Sequence, residues 1–138
     1  MKMNGSCSFI IRNETIDFDD ITRRLAIRPT SIQKKGQAIR KGAVSQAPFD
    51  IWRYEVIISE HVEPEEAFEL LLNDLTSNFK EINELTGLYK DVGIDCYLRS
   101  DYGQMGLQLT TEMMKKISIL GLGLNIHILS FGGVEEDD

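Results

Sequence analysis

Apolar residues along the chain switch between two periods, and the switches mark the elements. Cys7, Phe9 and Ile11 alternate with Ser8 and Ile10, which predicts a strand over 7–11. Phe18, Ile21 and Leu25 then fall three and four apart, so they share one face of a short helix. Asp17 is placed to cap it, and Asp19 and Asp20 suit the positive end of its dipole. Arg28-Pro29 ends it, because the residue before a proline is pushed out of the helical region. Residues 30–48 show no apolar period and contain Gly36 and Gly42, which predicts a long exposed loop with room for one short extended piece. Period two returns from Phe49 to Ser59. Trp52, Tyr54, Val56 and Ile58 face one way, and Ile51, Arg53, Glu55 and Ile57 face the other.

The strongest pattern follows. Glu63-Pro64-Glu65-Glu66 is a helix start, and Phe68, Leu71, Leu72, Leu75, Phe79, Ile82 and Leu85 trace one stripe. Gly87 is placed to stop it, which predicts a single helix of about 23 residues. Val92, Ile94, Cys96 and Leu98 alternate as a strand, Ser100 to Gly106 form a turn, and Leu107 and Leu109 begin a further short strand. Thr110 or Thr111 caps a last helix carrying Met113, Met114, Ile117 and Leu120, closed by Gly121. Leu124, Ile126 and Ile128 form the final strand, with Asn125, His127 and Leu129 opposite. The expected order is β-α-β-α-β-β-α-β, ferredoxin-like in its last six elements. The fold class is α+β: a mostly antiparallel sheet of about five strands with helices on one face. One domain over 1–131 is expected, with 132–138 as an acidic, disordered tail.

Composition excludes several alternatives. The 138 residues are 42% apolar and 27% charged, the balance of an ordinary globule rather than a disordered chain, a collagen or a disulfide scaffold. No apolar run is long enough to span a membrane. The N-terminus has no long apolar core, so the expected compartment is the reducing cytoplasm, with Cys7 and Cys96 as reduced core residues. Net charge is −7, unevenly spread. Residues 23–53 hold eight basic residues against Asp50 alone, a net +7, while the remainder holds seven basic and 21 acidic, a net −14. A negative chain is repelled by a phosphate backbone, so non-specific nucleic-acid binding is not expected. The basic segment can hold a local anion, or pair with the chain's own acids, for example Glu63, Glu65 and Glu66.

Candidate chemistry is sparse. His61 and His127 have no Asp, Cys or Ser at motif spacing, and no phosphate-cradle or metal-ligand spacing is present. Neither a metal nor a cofactor is expected. Asp95 and Asp101 could pair as carboxylates, against the plainer reading of a solvated strand residue and a turn former. The candidate binding residues are Lys34, Lys35, Gly36, Arg40, Lys41, Trp52 and Arg53. Arginine beside an aromatic is the chemistry of anion pockets and binding hot spots, and Gly36 and Gly42 let backbone approach a ligand. Trp52 also heads the apolar face of its strand, where core burial is the commoner fate.

Leu25-Ala26-Ile27-Arg28-Pro29-Thr30, Lys35-Gly36 and Trp52 carry a family resemblance. It continues through Tyr97 to Asp101, Leu107-Gln108-Leu109-Thr110 and Leu120-Gly121-Leu122 into Leu124 to His127-Ile128. Over about residues 7 to 129 the chain resembles an uncharacterised bacterial family, domain of unknown function 4279. That family often has an acid after Lys-Gly, where Gln37 stands here. The resemblance implies the fold order and transfers no catalytic residue. Small acidic domains of this kind look like immunity or accessory proteins of bacterial toxin systems, by analogy alone. The leading expectation is a non-enzymatic cytoplasmic binding module that meets a protein partner through a charged surface, with no membrane role and an oligomeric state left open. The alternative is a small-molecule, anion-binding or enzymatic domain with a Lys35–Trp52 pocket.

Overall fold

A computed structural model describes residues 3–38, 45–103 and 105–133. Strand β1 spans Met3–Asn13, helix α1 Phe18–Leu25, β2 Ser31–Gln33 and β3 Asp50–Ile58. Helix α2 spans Pro64–Thr76, α3 Phe79–Leu88, β4 Asp91–Tyr102, α4 Thr111–Leu120 and β5 Gly123–Gly133. The five strands form one sheet in the order β2-β3-β1-β4-β5. Three of its pairings are antiparallel, and β4–β5 is parallel. A parallel neighbour needs a crossover, and α4 supplies it. The chain is thus α+β with a mixed, mostly antiparallel sheet.

Alternation decides which side chains meet the helices. Cys7, Phe9 and Ile11 of β1, Trp52 and Ile58 of β3, and Ile94, Cys96 and Leu98 of β4 point to one face. There they pack with Ile21 and Leu25 of α1, Phe68, Leu71, Leu72 and Leu75 of α2, Ile82 and Leu85 of α3, and Met113 and Leu120 of α4. Among the described residues all four helices therefore cover one face, as the apolar pattern predicts. Trp52 meets Phe9 edge to face with ring centroids 5.9 Å apart, and its indole N–H donates to Thr22 Oγ1 of α1 at 3.2 Å. Cys7 and Cys96 are register partners across β1 and β4, both free and wholly buried, with their sulfurs 3.3 Å apart.

Three expectations need correction. The helix expected to run unbroken from Glu63 to Gly87 is two helices. Thr76 and Ser77 turn their hydroxyls back to donate to the Asn73 carbonyl at 3.2 and 3.3 Å, and the Asn78 N–H closes on Leu75 O at 3.0 Å. Such local bonds compete with the helical ladder. The break leaves Phe79 exposed at the start of α3 and places Gly87 inside that helix rather than past its end. Second, residues 107–109 form no strand. The Gln108 N–H donates to the Glu65 carboxylate at 3.1 Å, while Leu107 and Leu109 pack against the core as a connector. Third, the order from β3 onward is therefore β-α-α-β-α-β, not the ferredoxin-like order. The loop expected over 30–48 contains β2 as its short extended piece and a single bridge from Ala38 to Gln46. Thr110, rather than Thr111, caps α4, accepting from the Met113 N–H at 3.2 Å. Gly132 and Gly133, expected in the tail, lie in β5, and residues 134–138 fall outside the described residues.

Candidate functional site: the uncovered face of the sheet

Residues of opposite parity point away from the helices. Ser8, Ile10 and Arg12 of β1, Arg53 and Glu55 of β3, Asp95, Tyr97 and Arg99 of β4, and Asn125, His127 and Leu129 of β5 make up that second face. Its centre is dry: Ser8, Ile10 and Asp95 are all buried. Asp95 is held there by partners. Arg12 donates from Nη2 to Asp95 Oδ2 at 2.7 Å and from Nη1 to Asp91 Oδ2 at 3.4 Å, and Asn125 Nδ2 donates to Asp95 Oδ1 at 3.3 Å. Burial opposes the charge on Arg12, but the hydrogen bond and charge of Asp95 outweigh it and hold the guanidinium protonated. Asp95 is the buried member and Arg12 is part-exposed, so the pair adds little net stability, but removing Arg12 would strand a buried charge, at a cost of up to about 3–5 kcal/mol.

Toward β5 the face becomes aromatic. The Tyr97 ring stacks on His127 with centroids 4.5 Å apart and planes 12° from parallel. The Arg99 guanidinium lies 4.8 Å from the centre of the Phe131 ring. Between them runs a shallow groove of about 300 Å³, bounded by Gly5, Tyr97, Arg99, His127 and Leu129. Gly5 is required there. Its φ is +142°, and a Cβ would fall 1.8 Å from the Tyr97 carbonyl oxygen.

The residues expected to form a binding site are not gathered. Trp52 is wholly buried among the helices, and its neighbour Arg53 points to the opposite face. Lys34 and Lys35 lie in the turn beyond β2. The Lys35 backbone N–H donates to Asp50 Oδ1 at 2.7 Å, and its ammonium is 3.5 Å from Glu14. Gly36 serves that turn, with φ +89° and its N–H donating to Ala47 O at 2.9 Å. Arg40 and Lys41 lie outside the described residues. The Lys35–Trp52 pocket is therefore not formed, because neighbouring strand residues are divided between two faces. The basic segment is also divided. Arg23 and Arg24 pair with Asp20, and Arg24 also with Glu84 at 2.8 Å, so its described counter-charges are not Glu63, Glu65 and Glu66. Among the described residues the buried Nε of Arg53 has no hydrogen-bond partner.

Asp95 and Asp101 do not pair. Six positions along one strand separate them by roughly 20 Å, and Asp95 is paired with Arg12 rather than solvated. His61 is exposed beside the start of α2, and His127 is the stacked partner of Tyr97. Sequence reasoning missed Arg12, Tyr97 and Arg99. The parity of their strands was the available signal, but Arg12 and Asp95 lie 83 residues apart and only the register joins them.

Among the described residues no group of three or more His, Cys, Asp or Glu gathers at metal-binding distance, and no helix is long and apolar enough to cross a membrane. No curated protein and no solved structure matches the chain significantly. The pattern of one family matches residues 2–131, nearly the whole length, and the chain belongs to that family, the domain of unknown function DUF4279.

Proposed function

We propose that this chain is a non-enzymatic, cytoplasmic, bacterial protein-binding module and that it docks its partner on the uncovered sheet face. One observation carries the reading: a sheet face that no helix covers among the described residues presents Tyr97, Arg99 and His127 on strands beside a half-buried Arg12–Asp95 pair. Exposed tyrosine and arginine side chains are the residue types that carry most of the energy of protein interfaces. The groove is shallow, which suits a surface contact better than an enclosed small molecule. The net charge of −7 favours fast capture of a basic partner, as an immunity-like protein would need.

The test compares proteins captured from native lysate by three forms: wild type, the face variant Tyr97→Ala/Arg99→Ala, and the loop variant Lys34→Ser/Lys35→Ser/Arg40→Ser/Lys41→Ser. A partner lost by the face variant and kept by the loop variant is the expected result. The reverse moves the site to the basic loop. A partner kept by both variants removes the proposed surface.

A further inference from the structure

Strand β5 closes one side of the sheet, and among the described residues no strand lies against its outer edge. A free edge offers unpaired N–H and C=O groups to any extended chain, so monomeric proteins blunt their edges with charge, proline, a bulge or brevity. The opposite edge, β2, is blunted by brevity, with three residues. β5 is not blunted. It has 11 residues, none charged and none proline, in a chain that is 27% charged. Its register on β4 is regular from Gly123 to Ser130. Ile126, Ile128, Leu129 and Phe131 project from it with 41%, 61%, 54% and 54% of their surface exposed.

We infer that β5 is a dimerisation edge: two copies of this chain pair β5 with β5 antiparallel, about a two-fold axis near Ile128, into one continuous sheet. The occupant is a second copy for three reasons. Only an extended strand satisfies the edge groups, and β5 is one of matching length. Two chains of charge −7 repel overall, so self-association is least opposed where the contact itself places no like charges together, and β5 is such a strip. A charged peptide would find no counter-charge on it. Antiparallel self-pairing also closes the assembly, because the same edge is used twice and the three-residue β2 cannot extend it. The axis places Ile128 against Ile128 of the second copy as an apolar cross-strand pair, with Leu129 facing His127 beside it.

Sedimentation equilibrium of the full chain, carried to about 100 μM so that micromolar association registers, should give twice the chain mass of 15.7 kDa. Ile128→Lys should return the single-chain mass with an unchanged circular dichroism spectrum, since Ile128 loses little inside one copy. Independently, Ile128→Cys should form a disulfide-linked dimer on mild oxidation with diamide, because a two-fold axis brings identical residues together. A single-chain mass for wild type at the highest concentration overturns the inference. So does a dimer that survives Ile128→Lys, or an Ile128→Cys chain that stays uncross-linked.

Discussion

Tyr54 shows how one residue ties two layers together. It stands on the helix side of β3, and its hydroxyl donates to Asp74 Oδ2 of α2 at 2.7 Å. The bond to a carboxylate, followed by burial, raises its ionisation from 10.0 to about 12. A raised phenol pKa means that the folded state prefers the neutral form. Its contribution is therefore complete below pH 10.0 and fades as pH climbs through about 12. Urea melts of wild type and Tyr54→Phe should accordingly show a gap at about pH 8 that narrows by about pH 11. A gap that widens with alkali would contradict the bond. The apolar partners of Tyr54 were legible in the sequence, because period two placed it beside Trp52 and Val56. Asp74 was not, because a polar residue on a helix gives no sign of which strand it will meet. Asp95 is the sharper case: it reads as a solvated strand aspartate until the register brings Arg12 and Asn125 to it.

Among the elements, α2 carries the centre of the core. Leu71, Leu72 and Leu75 are wholly buried against β1 and β3. Leu75→Ala should cost about 2–5 kcal/mol, from lost burial and a residual cavity. A loss well under about 1 kcal/mol in urea melts would mean that the site collapses freely. The apolar stripe from Phe68 to Leu85 is legible because a helical period repeats the same face many times. The break within it is less so: it depends on Thr76, Ser77 and Asn78 choosing local hydrogen bonds over the ladder, a contest decided by small differences. The mistaken strand at 107–109 has a similar origin. Two apolar residues in alternation fit a strand and equally fit a connector that packs Leu107 and Leu109 inward.

For the whole molecule, the fold class and the side of the sheet that the helices cover were legible, while strand order and the uncovered face were not. Pairing partners lie tens of residues apart, and no local pattern specifies them. Cys7 and Cys96 make this measurable, being 89 residues apart in sequence and 3.3 Å apart in the sheet. The hydrogen bond shared with Cys96 and then burial push the Cys7 thiol up, away from the reactive thiolate. Both thiols sit where β1 meets β4, so labelling requires the sheet to open. Native protein should react with a thiol reagent only as fast as it unfolds, and denatured protein should react twice per chain without reductant. Rapid native labelling would place the sheet centre in exchange with solvent. The position of β1 has a consequence for synthesis. It is the middle strand of the sheet, yet it leaves the ribosome before both of its neighbours. Its first partner, β3, begins at Asp50 and its second, β4, at Asp91. Until they emerge, the nascent chain carries a strand whose Phe9, Ile10 and Ile11 are all destined for burial, open on both edges. That interval, set by translation rate rather than by stability, is when this chain is most exposed to aggregation and most in need of a chaperone.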